Sequence, residues 1–315
     1  MSDDATGQIV PPDIPGMPDG RLVPVGGNHN VQTMFAADGT GADPAAVAVF
    51  LANHAARGGW CAERGIGYGQ WVFPDPIVFA EGFPPGSVAS VLKRALPEAV
   101  RPAGIHYPLP LIAGHPDRQC MTDTHYSPIG GMHVAADVAR ILLGVDPTPT
   151  VDRLTAELSE PASHVGDLGV QCTPPIAEMR ARQPHLPGIR SATNGVQAGN
   201  MGIIQLVDSQ NALTERTLLI FGDSFFRSLL PELARYWRSI VFCRTPFFHE
   251  EMVAAIAPHD IVTGLAERYF ATTRPDAERP HFLAYPLMLG RATNPDAAFP
   301  ALWTQLVDAA RLARP

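Results

Sequence analysis

The stretch Thr217-Leu218-Leu219-Ile220-Phe221-Gly222-Asp223-Ser224-Phe225 decides the fold. Thr217 to Phe221 are apolar or strand-favouring, and a tight turn carrying a glycine and a serine follows. Leu229, Leu230, Leu233, Tyr236 and Trp237 then recur at helical spacing. The pattern predicts a buried strand, a turn and a helix. A short apolar strand feeding a helix suits a parallel sheet covered on both faces. Ser224 then stands at the carboxyl end of the strand and near the amino end of the helix. Ligands of open α/β sheets bind at that edge, where unpaired backbone N–H groups favour negative charge. A serine attacking an ester needs such a place, because its tetrahedral intermediate carries an oxyanion. Asp and Ser before a helix are also ordinary caps, so the segment alone fits a cap as well as a nucleophile.

Working outward, the same alternation continues on both sides. Ser239 to Arg244 reads as a second buried strand, His249 to Ile256 as a short helix, Asp260 to Val262 as a strand and Leu265 to Phe270 as a helical turn. Upstream, a helical pattern over Pro44 to Arg64 ends at Gly65-Ile66-Gly67, as a C-terminal glycine should end it. The strand Tyr68 to Phe73 follows and is closed by Pro74-Asp75-Pro76. Val88 to Leu96 reads as a helix and Gly202 to Val207 as a strand. The expectation is an α/β fold with a doubly wound, mostly parallel sheet flanked by helices. Residues 1–315 are read as one domain, with an irregular arm over 1–35 and a C-terminal extension over 272–315. The arm holds one short edge-strand candidate, Arg21 to Val25, and the extension one helix, Ala297 to Leu312. The middle, Val151 to Ala212, shows little periodicity.

Composition narrows the function classes. The chain has 315 residues, 46% hydrophobic and 17% charged, enough for a sizeable core. The net charge of -8 argues against a nucleic-acid partner. Lys93 is the sole lysine, which reads as coding bias. No apolar run reaches the length of a membrane span. Met1 to Gly20 is acidic and rich in Pro and Gly, unlike a signal peptide. The expected location is therefore the cytoplasm, or the periplasm if an export signal has been removed. Cys61, Cys120, Cys172 and Cys243 are widely spaced, so free and mostly buried thiols are expected and neither a zinc signature nor a disulfide framework.

The second informative stretch is Met121-Thr122-Asp123-Thr124-His125-Tyr126-Ser127-Pro128. Ser127 is a good helix cap, Pro128 a good first helical residue and Gly144 a good stop. Asp123 and His125 therefore lie on a loop just before a helix. Residues two apart in extended chain point the same way, although a direct bond between them needs a bent backbone. A serine nucleophile needs a base, and the base needs a group to fix its tautomer. Ser224 as nucleophile, His125 as general base and then acid, and Asp123 as orienter supply all three. A metal alternative uses His115, Asp117, Cys120, Asp123, His125 and His133, but their spacings match no metal template. The expectation is no metal and no cofactor. His249-Glu250-Glu251 lacks the second histidine of a zincin.

Phe221-Gly222-Asp223-Ser224-Phe225 resembles the first block of SGNH hydrolases, the GDS-type esterases and acyltransferases. In most of them the Asp/His pair lies near the carboxyl end, whereas here Asp123-Thr124-His125 precedes the serine. That permuted order resembles the alginate O-acetyltransferase family, in which a D-x-H motif precedes the D-S motif. Trp60 through Gly65-Ile66 to Val72-Phe73-Pro74-Asp75-Pro76 and Phe79-Ala80-Glu81 is similar to that family's early strand and proline loop. Gly166-Asp167-Leu168-Gly169 is similar to a turn between its two catalytic motifs. The resemblance covers roughly residues 45 to 270 and implies an SGNH-like fold.

Three functions are carried forward. The resemblance implies a serine-dependent O-acyltransferase that moves an acetyl group through an acyl-enzyme to a hydroxyl of a glycan or glycoside. A carbohydrate O-acetyl esterase shares the first half-reaction. A catalytically silent glycan-binding or scaffold protein is the third, and the intact Asp/His/Ser set counts against it. The partners expected are a carbohydrate acceptor, an unidentified acyl donor and room for a membrane protein that hands over the acyl group. Oxyanion donors are sought at the Ser224 backbone N–H and, from the intervening segment, at Gly166 and Asn194, each with loop structure as the alternative. Arg244 follows a strand and can face the site, where it would bind a carboxylate of a sugar acid; a surface ion pair is the commoner fate of such an arginine. Asp223 is expected to act as a turn and capping residue.

Overall fold

The computed structural model describes residues 10–26, 30–182, 187–197 and 200–308. Strands β1 (Gly67–Phe73) and β2 (Ile105–His106) come first. β3 (Ala162–His164) and β4 (Glu178–Arg180) form a small antiparallel hairpin. Then come β5 (Ile189–Thr193), β6 (Ile204–Ser209), β7 (Thr214–Gly222), β8 (Trp237–Arg244) and β9 (Asp260–Ala266). The large sheet has the order β2-β1-β9-β7-β8-β6-β5. Strand β7 lies inside it, parallel to β9 and β8, and β1 is parallel to both β9 and β2. β6 and β5 run antiparallel at one side. The sheet is thus mixed but mostly parallel, and the architecture is the SGNH-like α/β fold that the motifs imply.

The apolar run of β7 is buried on both sides because its side chains alternate between two cores. Leu218 and Ile220 join Trp71, Val134, Val138 and Phe242 on one face. Leu219 and Phe221 join Val241, Ile261, Met252 and Leu302 on the other. Helix α1 (Pro44–Ala62) starts where Asp43 accepts a hydrogen bond from the Ala45 N–H at 2.9 Å. Helix α2 (Pro128–Leu143) starts at Ser127, whose Oγ accepts from the Gly130 N–H, and stops at Gly144, which takes the left-handed conformation at φ 66°. Both helices carry proline in the first turn, where no N–H is needed.

The helix expected after Ser224 is two short pieces, α3 (Ser224–Ser228) and α4 (Leu230–Leu233). Pro231 lacks the N–H that a continuous helix would use. Leu229, Leu230, Leu233, Tyr236 and Trp237 are all buried, as their spacing implied, yet Trp237 opens β8. Its indole N–H donates to Asp260 at 2.8 Å. Helix α5 (Glu250–Ile256) matches expectation. β9 runs through Leu265 to Ala266 before α6 (Glu267–Phe270) begins. Arg21 to Val25 forms no strand; a single bridge joins Gly16 and Leu22. The C-terminal helix is α7 (Phe299–Leu306), and residues 309–315, into which it was expected to run, lie outside the described residues. This segment packs through Phe282, Tyr285, Leu302 and Val307 into the face that also buries α5. All four cysteines are free and buried. Among the described residues no helix is long and apolar enough to cross a membrane.

Candidate active site

The loop before α2 folds back on itself. Asp123 Oδ1 accepts from the His125 backbone N–H at 2.9 Å and from His125 Nδ1 at 2.7 Å. The first bond closes a local turn of the type Asp side chains favour, and it supplies the bend that the second requires. Burial alone would raise the Asp123 carboxyl. The hydrogen bonds and charge of His125 outweigh that and hold it well below the usual carboxylate range. The other ring nitrogen of His125, Nε2, is buried and has no hydrogen-bond partner.

The loop is braced from outside. Glu178 on β4 accepts from the Met121 N–H, the Thr122 N–H and Thr122 Oγ1 at 2.9, 3.2 and 2.9 Å. Asp167 accepts from the Thr124 N–H at 2.7 Å and from Thr124 Oγ1. The Leu168 and Gly169 N–H groups donate to Thr122 O. The turn Gly166-Asp167-Leu168-Gly169 thus docks on the Asp-Thr-His loop. Gly166 sits so close that a Cβ there would lie 2.2 Å from Thr122 O, and its N–H donates to Thr122 Oγ1 at 3.0 Å. The β3–β4 hairpin also brings His164 Nε2 to 3.6 Å from Asp123 Oδ2.

Ser224 is the first residue of α3, where its N–H has no partner within the helix by position. Asp223 is the cap: Oδ1 accepts from the Phe225 N–H at 2.9 Å and Oδ2 from the Ala266 N–H at 2.6 Å. The Phe225 ring lies 5.1 Å from the His125 ring and stacks on Phe73. Ser224 is therefore the chain neighbour of the residue that packs on His125, although no hydrogen bond joins its hydroxyl to Nε2. Catalytic hydrogen bonds are often long without substrate and tighten in its presence. Asn194 lies elsewhere in this network: its Nδ2 donates to Gly202 O and its Oδ1 accepts from the Ile204 N–H, both at 2.9 Å, closing the β5–β6 connection.

Arg244 ends β8, in register with Gly222. It is 6% exposed, its Nη1 has no hydrogen-bond partner, and it makes no ion pair among the described residues. Burial lowers its pKa, with Asp223 the largest opposing influence. A surface ion pair is thus not its fate.

A cavity of about 490 Å³ opens beside the dyad. Asp123, His125, His164, Arg180, Arg182 and Glu232 line it, and Ser228 and Leu229 bring the end of α3 to its wall; Ser224 itself stands outside that wall. Asp123, His125 and Asp167 hold ligand atoms within 4.8 Å of one another and are the one such trio among the described residues. Their donor set is already engaged, Asp123 with His125 and Asp167 with Thr124. Cys120 accepts instead from Arg180 at 3.2 Å. The braces Asp167 and Glu178 and the wall residues His164, Arg180 and Glu232 were not singled out by sequence. Only Asp167 carried a signal, as part of the turn quoted above.

The sequence matches no family model, and no curated protein matches it significantly in sequence. Solved structures do resemble it in fold. Bacillus cereus PatB1 with a sulfonyl adduct superposes with a TM-score of 0.54 at 11% identity, covering 81% of this chain and 96% of that one. A second PatB1 structure gives 0.50 at 10% identity, over 73% and 92% of the two chains. The O-acetyltransferase domain of Pseudomonas putida AlgJ gives 0.44 at 13% identity, over 89% and 100%.

Proposed function

We propose that this protein is a serine-dependent O-acyltransferase, with Ser224 carrying the acyl group as an ester. The observation behind this reading is the preformed Asp123–His125 pair, whose Nε2 is buried and unpartnered and whose ring lies 5.1 Å from that of Phe225, the neighbour of Ser224. In the proposed reaction Ser224 Oγ attacks the acyl carbonyl and His125 Nε2 takes its proton. The tetrahedral oxyanion lies against the Ser224 N–H at the start of α3. Its collapse expels the donor's alkoxide, which receives the proton from His125. An acceptor hydroxyl then attacks the acyl-enzyme, gives its proton to Nε2, and Ser224 Oγ leaves and recovers that proton. Asp123 holds the ring in the required tautomer throughout. The acetyl group and the glycan or glycoside acceptor rest on the order of the two motifs. Arg244 supplies a buried cation for an anionic part of the bound molecule, since a lone buried charge is costly unless something pairs with it.

A carbohydrate esterase is the second reading. The cavity beside His125 is lined by the exposed Arg182 and the half-buried His164, so water can approach the proposed base from that side. Intact-mass measurement after p-nitrophenyl acetate decides among the three readings. One added acetyl on wild type and none on Ser224→Ala is expected. Passage of that acetyl to an added oligosaccharide marks a transferase, and free acetate regardless of acceptor marks an esterase. No adduct with this ester or with a sulfonyl fluoride, a reagent for activated hydroxyls, would sink the nucleophile and leave the binding-protein reading.

A further inference from the structure

The hairpin that braces the dyad loop also presents a second histidine to it. His164 ends β3 and pairs with Glu178 across the hairpin. Residues directly opposite in an antiparallel pair point to the same face, and Glu178 reaches the loop at Met121 and Thr122. His164 reaches it one residue further on, where its Nε2 stands 3.6 Å from Asp123 Oδ2. Gly166 lets the two segments come this close, because a Cβ there would lie 2.6 Å from the Cβ of Asp123. The facing atoms are complementary, and both are unfilled. Asp123 Oδ1 takes the hydrogen bonds from His125, and Oδ2 accepts none among the described residues. His164 Nε2 is buried without a hydrogen-bond partner. The side chain is 35% exposed, so solvent meets the ring away from that nitrogen.

We propose that His164 is a positioning residue for the dyad, donating from its Nε2–H to Asp123 Oδ2 so that the carboxylate is held between two imidazoles. The proposal rests on the acyl-transfer reading. A ring movement of about 0.7 Å makes an ordinary N–H···O bond of about 2.9 Å. It also satisfies a buried donor that is costly to leave unmet. A carboxylate anchored at one oxygen can turn about that anchor. A donor at each oxygen fixes its plane, and with it the plane of the His125 ring. The same contact has an electrostatic consequence. Neutral His164 donates to Asp123, whereas protonated His164 draws on the carboxylate charge that stabilises the His125 imidazolium. A proton on one ring therefore opposes a proton on the other.

The test follows nitrophenol release from p-nitrophenyl acetate over about pH 5 to 8 in wild type, His164→Leu and His164→Gln. Leucine fills the space without a donor, and the glutamine amide keeps an N–H but takes no proton. In His164→Leu the acylation rate is expected to fall about tenfold, the scale of a small misplacement, with the KM for the ester little changed. Its acid limb moves to higher pH by about 0.5–1 unit, because no charge at position 164 then opposes the one on His125. In His164→Gln the rate recovers while the limb stays above that of wild type. The other charged groups around the site, Asp167, Glu178, Arg180, Arg182 and Glu232, are common to all three proteins, so a shift between them reports position 164. Melting curves report folding. Nitrophenol release no faster from wild type than from Ser224→Ala defeats the acyl-transfer reading and this proposal with it. Normal release from wild type, with rate and limb unmoved in a folded His164→Leu, defeats this proposal alone. An equal loss of rate in both variants with the limb in place marks packing and defeats it too.

Discussion

His125 is fixed by its own loop before any serine reaches it. One oxygen of Asp123 serves both its backbone and its ring, and Asp167 ties the intervening Thr124 by backbone and hydroxyl together. Removing Asp167 frees that threonine and lets the imidazole drift. Asp167→Ala is expected to lower kcat about 10²-fold, the scale of a misplacement near 1 Å. Asp167 is exposed, so the melting temperature should move little. Steady-state kinetics beside a thermal melt check this, and an unaltered kcat would show that the brace is dispensable. At this scale the sequence placed Asp123 and His125 on one loop, where they do pair, and left the link to Ser224 as a proposal. Asp123, His125 and Ser224 could be named because each falls at a loop before a helix. The partners of the oxyanion candidates could not. The Gly166 N–H is taken by a hydroxyl 44 positions away, a pairing that no local pattern records. Asn194 is engaged within its own turn, which a short polar stretch does not distinguish from an open amide.

The loop after β1 is held to the start of α6 by an ion pair between Asp75, which is fully buried, and Arg268, whose N–H also donates to Asp75 at 2.8 Å. Both segments lie at the carboxyl edge of the sheet, and the Arg268 guanidinium stands 6.0 Å from the centroid of the Phe225 ring. Removing one partner of a buried pair leaves the other charge uncompensated. Asp75→Ala is therefore expected to cost about 3–5 kcal/mol, measured by urea denaturation, whereas a loss within error would mean that Arg268 finds another partner. Elements with a long period were readable: α1, α2, β1, β7 and β8 stand where apolar spacing put them. The β3–β4 hairpin was not, since three residues per strand carry no period. Its place is set by Glu178 reaching the dyad loop, which is a tertiary contact. The helix after Ser224 is broken for a local reason: Pro231 interrupts five apolar residues at helical spacing.

Over the whole molecule, the sheet is covered on both faces, and the C-terminal segment completes one of them. Glu251 secures it, accepting from the Phe282 N–H at 2.9 Å and from His249 Nδ1 at 3.0 Å. Burial would raise the Glu251 carboxyl, but the His249 and Phe282 hydrogen bonds prevail and hold it at about 2, below its ordinary 4.5. A carboxyl lowered in the fold contributes stability above its unfolded value and loses it as pH falls through the folded one. That contribution is full above about 4.5 and fades towards about 2. Glu251→Gln is expected to be less stable than wild type at neutral pH and to show a shallower loss between those limits. Denaturation curves from pH 2 to 7 test it, and parallel pH profiles would remove Glu251 from the account. Doubly wound topology was foreseeable from the strand–helix alternation. The antiparallel β5–β6 flank was not, because strand direction is set by the connections and not by the strand's own residues.

Two of the buried nitrogens without partners among the described residues, Nε2 of His125 and Nη1 of Arg244, have a use beyond chemistry. A buried polar group left without a partner costs about 1–3 kcal/mol, and a molecule that supplies the partner returns that energy on binding. Such a molecule raises the unfolding temperature with the logarithm of its concentration once that exceeds the dissociation constant. The protein's own melting curve is therefore an assay for its natural ligand, one that requires neither turnover nor an identified acyl donor.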